Sequence, residues 1–197
     1  MLKVGLTGNI GSGKTLVAGV FKTFDIPVFD ADLEAKILLK SENIKTRLLE
    51  DFGSGIFINN EIDRKKLAEI VFNEKTSLNK LNAIVHPAVR NRFGKWLEEI
   101  PKRPYLIYEA AIIFESGFYQ NLDYNIMITA AEETRIKRVM ARDNTTREMA
   151  LIRMKNQWPE AQKCKMADFV INNVNSELMI PQILKIHNEL TALSGKA

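Results

Sequence analysis

Residues 6–15, L-T-G-N-I-G-S-G-K-T, restrict the fold of this chain more than any other stretch. A glycine, four intervening residues and then G-K-T match the phosphate-binding loop G-x-x-x-x-G-K-[ST]. Such a loop follows a strand and opens a helix, and the run at residues 3–7 predicts that strand. Repeated glycines let the backbone curl so that its N–H groups point inward at an anion. The sequence therefore predicts an α/β fold that holds a polyphosphate.

Two side chains of the loop carry its predicted chemistry. Lys14 is placed to reach the β- and γ-phosphates, and Thr15 is placed to offer its hydroxyl to Mg²⁺. The helix that begins near Lys14 directs the positive end of its dipole at the same phosphates. The residues predicted to bind the nucleotide are Gly8, Asn9, Ile10, Gly11, Ser12, Gly13, Lys14 and Thr15.

Length and composition favour one α/β domain with an insertion. A chain of 197 residues can bury a full core. The net charge of +4 is spread along the sequence, which argues against a nucleic-acid partner. A single cysteine, Cys164, excludes an internal disulfide and fits a reducing compartment. Since no leader or long apolar segment is recognisable, we expect a cytoplasmic protein that does not bind membranes.

Strand and helix patterns alternate along the chain. Besides the first strand, short apolar runs predict strands at residues 27–30, 104–108, 124–129 and 169–171. The connections between them exceed about a dozen residues, as parallel pairing requires. We therefore predict a doubly wound, five-stranded parallel sheet of the P-loop kinase type.

Residues 42–100 contain almost no strand signal and predict a helical insertion that caps the acceptor. The nucleotide-binding core then comprises residues 1–41 and 101–197, with a lid at about residues 131–158. We expect the insertion and the lid to lie where the carboxyl ends of the strands point, so that they can close over a nucleotide.

The longest helical pattern of the insertion contains the pair His86-Pro87. Proline removes a helical hydrogen bond and crowds the preceding turn. The pattern therefore predicts that this helix is interrupted or kinked at the proline.

Acidic residues follow two of the predicted strands. Asp30 and Asp32 come after the second strand, and Glu109 ends the next strand of the core. Ligands of open parallel sheets bind at the carboxyl ends of the strands, so Asp30 or Asp32 can accept the proton of a hydroxyl group. The simpler alternative is that Asp32 only caps the helix that follows.

Three arginines, Arg135, Arg138 and Arg142, share one face of the helix predicted at residues 131–143. A stripe of guanidinium groups can cover the phosphates of a nucleotide. The alternative is an ordinary solvated face.

A phosphate-binding loop alone fits a switch GTPase, an ATPase or a small-molecule kinase. No aspartate is followed three residues later by glycine, and the N-K pair at residues 79–80 does not continue to x-Asp, which disfavours a GTPase. The acid that ends L-I-Y-E at residues 106–109 matches the ATPase pattern only loosely. A kinase needs a base, positive charge over the phosphoryl group, Mg²⁺ and a cap that excludes water, and the sequence offers each.

Taken together, the motifs resemble those of the dephospho-coenzyme A kinase family nearly from end to end. Beyond residues 6–15, the matching pieces are F-D-A-D at 29–32, F-G at 52–53, I-D-R-K-K-L at 62–67, L-N-A-I-V-H-P at 81–87, I-I-F-E-S-G at 112–117, R-x-x-x-R at 138–142, Gln157, and A-D-F-V-I-N-N at 167–173. The resemblance implies ATP-dependent phosphorylation of the ribose 3′-hydroxyl of dephospho-CoA with Mg²⁺ as cofactor. The products are CoA and ADP, and the reaction is the last step of coenzyme A biosynthesis.

The resemblance also implies roles for single residues. Asp32 is similar to the catalytic base of the family, Lys14 and Thr15 to its phosphate and Mg²⁺ contacts, and Arg138 and Arg142 to the lid arginines that steady the transferring phosphoryl group. The residues that line up with the acceptor site are Arg64, His86 and Glu109, beside Asp32 itself.

The sequence departs from the family pattern in two places. Glu109-Ala110-Ala111 stands where Asp-x-Pro is common, so the acid is one methylene longer, and its action through a Mg²⁺-bound water stays open. Arg135 stands where glutamine is frequent, and it either adds a charge to the nucleotide site or faces solvent.

The predicted partners are ATP and dephospho-CoA, and the predicted assembly is a monomer or a weak homo-oligomer. One alternative is a kinase for another nucleoside or nucleotide acceptor. The other is a P-loop ATPase or switch that uses nucleotide to change partners.

Overall fold

The first strand of the chain lies in the middle of a sheet and leads into the phosphate-binding loop. A computed structural model describes residues 1–174 and 177–195, apart from the side chains of Phe72 and Asn73. In chain order the elements are β1 (Leu2–Gly8), α1 (Lys14–Thr23), β2 (Val28–Asp30), α2 (Ala31–Leu38), α3 (Glu42–Phe52), β3 (Phe57–Ile58), β4 (Glu61–Ile62), α4 (Arg64–Asn73), α5 (Lys75–Glu99), β5 (Tyr105–Glu109), β6 (Tyr124–Thr129), α6 (Glu132–Asp143), α7 (Arg147–Lys155), α8 (Glu160–Met166), β7 (Phe169–Asn172) and α9 (Met179–Ser194).

In the described part of the chain, five parallel strands form one sheet in the order β2-β5-β1-β6-β7. The predicted doubly wound parallel sheet is therefore confirmed. From β1 the chain first crosses to the β2 edge, and β6 and β7 later fill the opposite side. The strand order therefore reverses direction at β1. In sheets of this type, ligands bind at the carboxyl ends of the strands where such a reversal occurs. The phosphate-binding loop lies at that point.

Apolar side chains on the sheet build the main core. Val4 and Leu6 of β1 and Ile126 of β6 are fully buried, as expected for parallel strands covered by helices. Helices α1 and α9 pack on this core through Phe21 and Ile183. Burial of each such side chain contributes roughly 1.5–3 kcal/mol, so the sheet holds β1 and its loop firmly.

The chain divides into two units: a core unit, Met1–Asp30 with Pro101–Ala197, and a helical unit, Ala31–Ile100. Helix α2 packs against α5 inside the helical unit, and Glu34 Oε2 lies 3.6 Å from Arg92 Nε. These contacts group residues 31–41 with the insertion, whereas the sequence pattern assigned them to the core. The helical unit has an apolar core of its own, formed by Ile44, Leu48, Ile56, Leu67, Val71 and Ile84.

Helix α5 runs for 25 residues through Pro87, so an interruption at the proline, one of the two predicted forms, is wrong. Pro87 cannot donate to the carbonyl of Ala83, but Ala83 is exposed and water can replace that donor. The buried side chains of Val85 and Val89 on either side of the proline keep the helix packed. None of the described helices combines the length and apolarity that crossing a membrane requires.

The region after α6 contains two short helices joined by a turn. Helix α7 ends at Lys155. Trp158 consequently lies in the turn before α8. That turn contacts the phosphate-binding loop, as described below.

Candidate active site

The phosphate-binding loop is a tight turn between β1 and α1. The N–H of Ser12 donates to the carbonyl oxygen of Asn9 at 2.9 Å. Gly11 and Gly13 have φ angles of 82° and 104°, a left-handed region that other residues rarely adopt. A Cβ on Gly11 would also lie 2.6 Å from the carbonyl oxygen of Arg135. The shape of the loop therefore depends on glycine at these positions.

Glu109 contacts the side chains of Lys14 and Thr15, the last two residues of the phosphate-binding loop. Its Oε1 lies 3.8 Å from Lys14 Nζ and accepts a hydrogen bond from Thr15 Oγ1 at 3.4 Å. Sheet register explains this meeting, because Glu109 of β5 lies opposite Leu6 of β1 on one side and Asp30 of β2 on the other. Since Glu109 is only 4% exposed, little water screens its charge from the ammonium group.

The oxygens of Thr15 and Glu109 fit a Mg²⁺ ion that is held mainly by water and phosphate. Such ions usually take one or two protein oxygens and fill their remaining positions with water and substrate phosphates. In the parts of the chain that the structure describes, no group of three or more His, Cys, Asp or Glu could hold a metal ion. The donor set is thus that of an open nucleotide site rather than of a closed metal cage.

Asp30 and Asp32 fall on either side of the boundary between the units. Asp30 ends β2, whereas Asp32 is half-buried in the first turn of α2. Because α2 begins at Ala31, Asp32 is not the residue that caps this helix. An acid in this first turn also interacts favourably with the helix dipole, which is worth about 0.3–1 kcal/mol.

Arg138 reaches the phosphate-binding loop from α6. Its Nη1 donates to the carbonyl oxygens of Gly11 and Ser12 at 3.2 and 3.4 Å, and its Nη2 donates to Asn173 Oδ1 at 3.4 Å. The amide nitrogen of Asn173 donates to the carbonyl of Ser12 at 2.6 Å. The alternative of a purely solvated arginine face is therefore wrong for Arg138.

Arg142 binds its neighbour in the sequence, Asp143. Its guanidinium group binds both oxygens of Asp143 at 2.8 and 2.9 Å, and Arg153 contacts the same carboxylate at 2.8 Å. A hydrogen bond from Arg142 and its charge, together with the charge of Arg153, lower the pKa of Asp143. The same carboxylate raises the pKa of Arg142.

Arg135 is buried, so the second of its two alternatives, a side chain that faces solvent, is wrong. It is 6% exposed, and its Nε donates to the carbonyl oxygen of Ala130 at 3.0 Å. Its guanidinium group also lies 3.7 Å from Glu160. The backbone of Arg135 approaches Gly11 closely, which holds α6 against the loop.

Arg64 and His86 belong to the helical unit. Arg64 is the first residue of α4 and is exposed, while Asp63 caps the helix by accepting from the N–H groups of Lys65 and Lys66. His86 is half-buried on α5, and burial together with the charge of Arg90 lowers its pKa. His86 is therefore neutral near pH 7.

Two residues at the loop have no local sequence signal for a contact there. Asn173, which follows β7, donates to the carbonyl of Ser12. Gln157 accepts from the N–H of Ile10 at 2.7 Å, although the two residues are far apart in the sequence. Both fall in stretches of the family resemblance, but neither spacing nor periodicity assigns them a partner. Long-range packing brings both residues to the loop.

The phosphate-binding loop follows the central parallel strand. Lys14 and Thr15 contact the buried acid Glu109, and Arg138 binds the carbonyls of the loop. These features define a P-loop kinase of the α/β class. The CoaE family, dephospho-CoA kinase, matches residues 2–178. The chain therefore belongs to the dephospho-CoA kinase family.

Relatives and solved structures agree with this assignment. A dephospho-CoA kinase from Geobacillus kaustophilus is 39% identical over 176 residues, 87% of this chain and 88% of that protein. The crystal structure of a Thermus thermophilus protein has a TM-score of 0.84 at 32% identity and covers 97% of this chain and 96% of that one. Dephospho-CoA kinase from Campylobacter jejuni has a TM-score of 0.68 at 29% identity, with coverages of 96% and 97%.

Membership of this family establishes the reaction. The enzyme phosphorylates the ribose 3′-hydroxyl of dephospho-CoA with ATP, giving CoA and ADP, in the final step of coenzyme A biosynthesis. The predicted family and activity are confirmed, and the two alternative functions are not supported.

Proposed function

We propose that the phosphate-binding loop holds ATP for this reaction and that Asp32 is the general base for the acceptor. The observation that supports this most directly is the convergence of Lys14, Thr15, Glu109 and Arg138 on one loop. The predicted nucleotide-binding residues 8–15 keep their assignments in this proposal.

The donor is held by backbone and side chains of the loop. N–H groups of the curled backbone and of the first turn of α1 point at the β-phosphate, and the helix dipole favours its charge. Lys14 leaves Glu109 for the β- and γ-phosphates. This exchange keeps the half-buried ammonium group paired at each stage.

Transfer begins when Asp32 accepts the proton of the ribose 3′-hydroxyl. The hydroxyl oxygen forms a bond to the γ-phosphorus while the bond from that phosphorus to the bridging oxygen breaks. ADP leaves with the electron pair of the broken bond. Asp32 then returns the proton to solvent.

Positive charge balances the three equatorial oxygens of the phosphoryl group during transfer. Arg138 keeps donor N–H groups beyond those bound to the loop carbonyls, since a guanidinium group carries five. Arg142 exchanges the carboxylate of Asp143 for the phosphoryl oxygens. Together the two arginines stabilise the charge that spreads in the transition state.

Arg64 and His86 bind the acceptor in this proposal. The exposed cation of Arg64 suits the diphosphate of dephospho-CoA, to which it can bind with two parallel hydrogen bonds. His86, neutral because its pKa is lowered, serves as a hydrogen-bonding partner rather than as a charge. Residues 42–100 act as the acceptor-binding cap and residues 131–158 as the lid.

Thr15 would hold Mg²⁺ directly, and Glu109 would hold it through a bound water or contact the acceptor. When bound, Mg²⁺ supplies charge that neutralises the β- and γ-oxygens of the nucleotide. Glu109 is buried and already hydrogen-bonded to Thr15, which supports its place in the same site.

We also propose that the enzyme works in the cytoplasm as a monomer or weak homo-oligomer without nucleic-acid or membrane partners. The spread of its basic residues and its one cysteine support this setting. Light scattering on the purified protein tests the assembly, and a stable higher oligomer would contradict it.

The acceptor assignment is tested by ADP release from Mg-ATP in the presence of dephospho-CoA, adenosine or AMP. We expect stimulation by dephospho-CoA alone, a new phosphate on the ribose 3′ oxygen, and loss of turnover when a chelator removes Mg²⁺. Equal stimulation by adenosine or AMP would assign another acceptor. Acceptor-independent ADP release would favour an ATPase.

A further inference from the structure

The turn between α7 and α8, residues 156–159, contacts the outer side of the phosphate-binding loop. Gln157 Oε1 accepts a hydrogen bond from the backbone N–H of Ile10 at 2.7 Å. Its Nε2 donates to the carbonyl oxygen of Ala111, just beyond β5, at 3.3 Å. One side chain thus joins the loop after β1 to the segment after β5.

The side-chain amide of Gln157 suits these two bonds because it offers one acceptor and one donor. Ile10 offers a donor and Ala111 offers an acceptor, so the orientation of the amide is fixed by its two partners. The carbonyl of Ala111 also accepts from Thr7 Oγ1 at 3.3 Å, which holds it in place against β1. The bond to Ile10 is therefore made by a group that is itself immobilised.

The turn is anchored independently of Gln157. Asn9 Nδ2 donates to the carbonyl oxygen of Trp158 at 3.3 Å, and the N–H of Trp158 donates to Glu115 Oε1 at 3.0 Å. Lys163 Nζ of α8 lies 2.5 Å from the same Oε1, and Lys163 is fully buried. A buried, paired charge of this kind resists displacement because breaking it leaves an uncompensated ion.

We propose that Gln157 is a positioning residue for phosphoryl transfer. By binding the N–H of Ile10, it keeps the loop in the curled conformation in which the following N–H groups can donate to phosphate. It also fixes the end of the lid region to that loop. The inference rests on the proposed role of residues 8–15 in holding ATP. Gln157 does not touch the reacting atoms.

Replacement of Gln157 by glutamate separates positioning from simple packing. Gln157→Glu keeps the size of the side chain and an acceptor for Ile10, but its second oxygen meets the carbonyl of Ala111. A carboxylate cannot donate there, whereas the protonated acid can. Gln157 is half-buried, and partial burial favours the protonated form of a carboxyl group placed there.

The experiment compares Gln157→Glu, Gln157→Met and the control Gln162→Glu with the unaltered enzyme. Gln162 is exposed on α8, and its side chain makes no hydrogen bond to another described residue. kcat and the KM for ATP are measured with dephospho-CoA between about pH 5.5 and about pH 9, the range in which a carboxyl group with a raised pKa titrates. Thermal unfolding is followed for every protein.

We expect both Gln157 variants to lose about 10- to 100-fold in kcat/KM at the alkaline end, mainly through the KM for ATP, as small misplacements of binding groups do. Gln157→Glu should regain most of this loss as the pH falls, Gln157→Met should not, and Gln162→Glu should match the unaltered enzyme. A pH-independent loss in Gln157→Glu, or normal kinetics in both Gln157 variants, would overturn the proposal.

Should Gln157→Met fail to fold, the pH profile of Gln157→Glu decides alone. Failure of the unaltered enzyme to use dephospho-CoA would instead contradict the proposed function.

Discussion

Glu109 Oε1 lies 3.8 Å from Lys14 Nζ, so the lysine of the phosphate-binding loop is paired with a buried acid at the end of the neighbouring strand. Through the same oxygen Glu109 also accepts the hydroxyl of Thr15. The acid therefore holds both side chains near the positions from which they can turn to a nucleotide. Side chains ordered in advance lose less conformational entropy on binding, which favours affinity.

Lys14→Ala should weaken nucleotide binding and slow turnover together. The change removes the ammonium group that the proposal assigns to the phosphates, and such losses cost on the order of 10²-fold or more in kcat. Isothermal titration with ADP and steady-state kinetics measure the two effects. Lys22→Ala, an exposed lysine of the same helix, is the control. Near-normal affinity and turnover in Lys14→Ala would contradict the loop assignment.

Asp32→Asn should leave ATP affinity largely intact while turnover falls by roughly 10²-fold or more, because a positioned base is lost. The amide keeps the size and polarity of the side chain but accepts no proton. Rapid-quench kinetics isolate the chemical step. Asp51→Asn, an exposed acid of α3 without an ion pair to another described residue, should behave as the unaltered enzyme does. Unchanged turnover in Asp32→Asn would remove Asp32 from the role of base.

Gly11→Ala and Gly19→Ala should have opposite effects on stability. The φ of 82° at Gly11 costs a side chain about 1–2 kcal/mol, and the new Cβ would lie 2.6 Å from the carbonyl oxygen of Arg135. At Gly19, inside α1, an added Cβ meets nothing within 4 Å, so alanine should raise the free energy of unfolding by roughly 0.5–1 kcal/mol. Denaturant titration measures both. Equal effects would show that the loop tolerates a side chain.

Asp143→Asn should lower stability in a pH-dependent way. The pKa of Asp143 lies below its ordinary value of 3.8 in the folded state, so its contribution is full above that value and is lost as the pH falls through the lowered pKa. Because Arg142 is 61% exposed and salt screens the pair, we expect a cost of only about 1 kcal/mol near pH 7. Urea titrations from neutral to acidic pH should show the gap to the unaltered enzyme closing below about pH 4. A gap that stays constant with pH would contradict the ionic origin.

The sequence predicted the parts of the fold that depend on local pattern. The loop at residues 6–15 and the alternation of strands and helices follow from residue spacing and backbone preference. The sequence predicts that Lys14 and Glu109 both lie at the carboxyl ends of strands. It does not predict their contact, because the pairing of β1 with β5 is set by long-range packing.

Contacts that cross the chain escaped prediction. Arg135, Arg138 and Arg142 look alike on one helical face, yet one is buried against Ala130, one binds the loop and one binds Asp143. The loop carbonyl that Arg138 binds lies far away in the sequence, whereas Ala130 and Asp143 are close neighbours of the arginines that bind them. Gln157 was recognised only as part of a family pattern, because nothing local to it indicates a partner such as Ile10.

The central position of β1 also affects how the protein can fold during translation. Its hydrogen-bonding partners β5 and β6 follow about 100 residues later, a delay of about 5–20 s at roughly 5–20 residues per second. In that interval the helical unit, which has its own apolar core, is fully synthesised while the strand made first stays unpaired. The nucleotide loop is thus translated early, but the strand that leads into it gains its two partners only after β5 and β6 have been made.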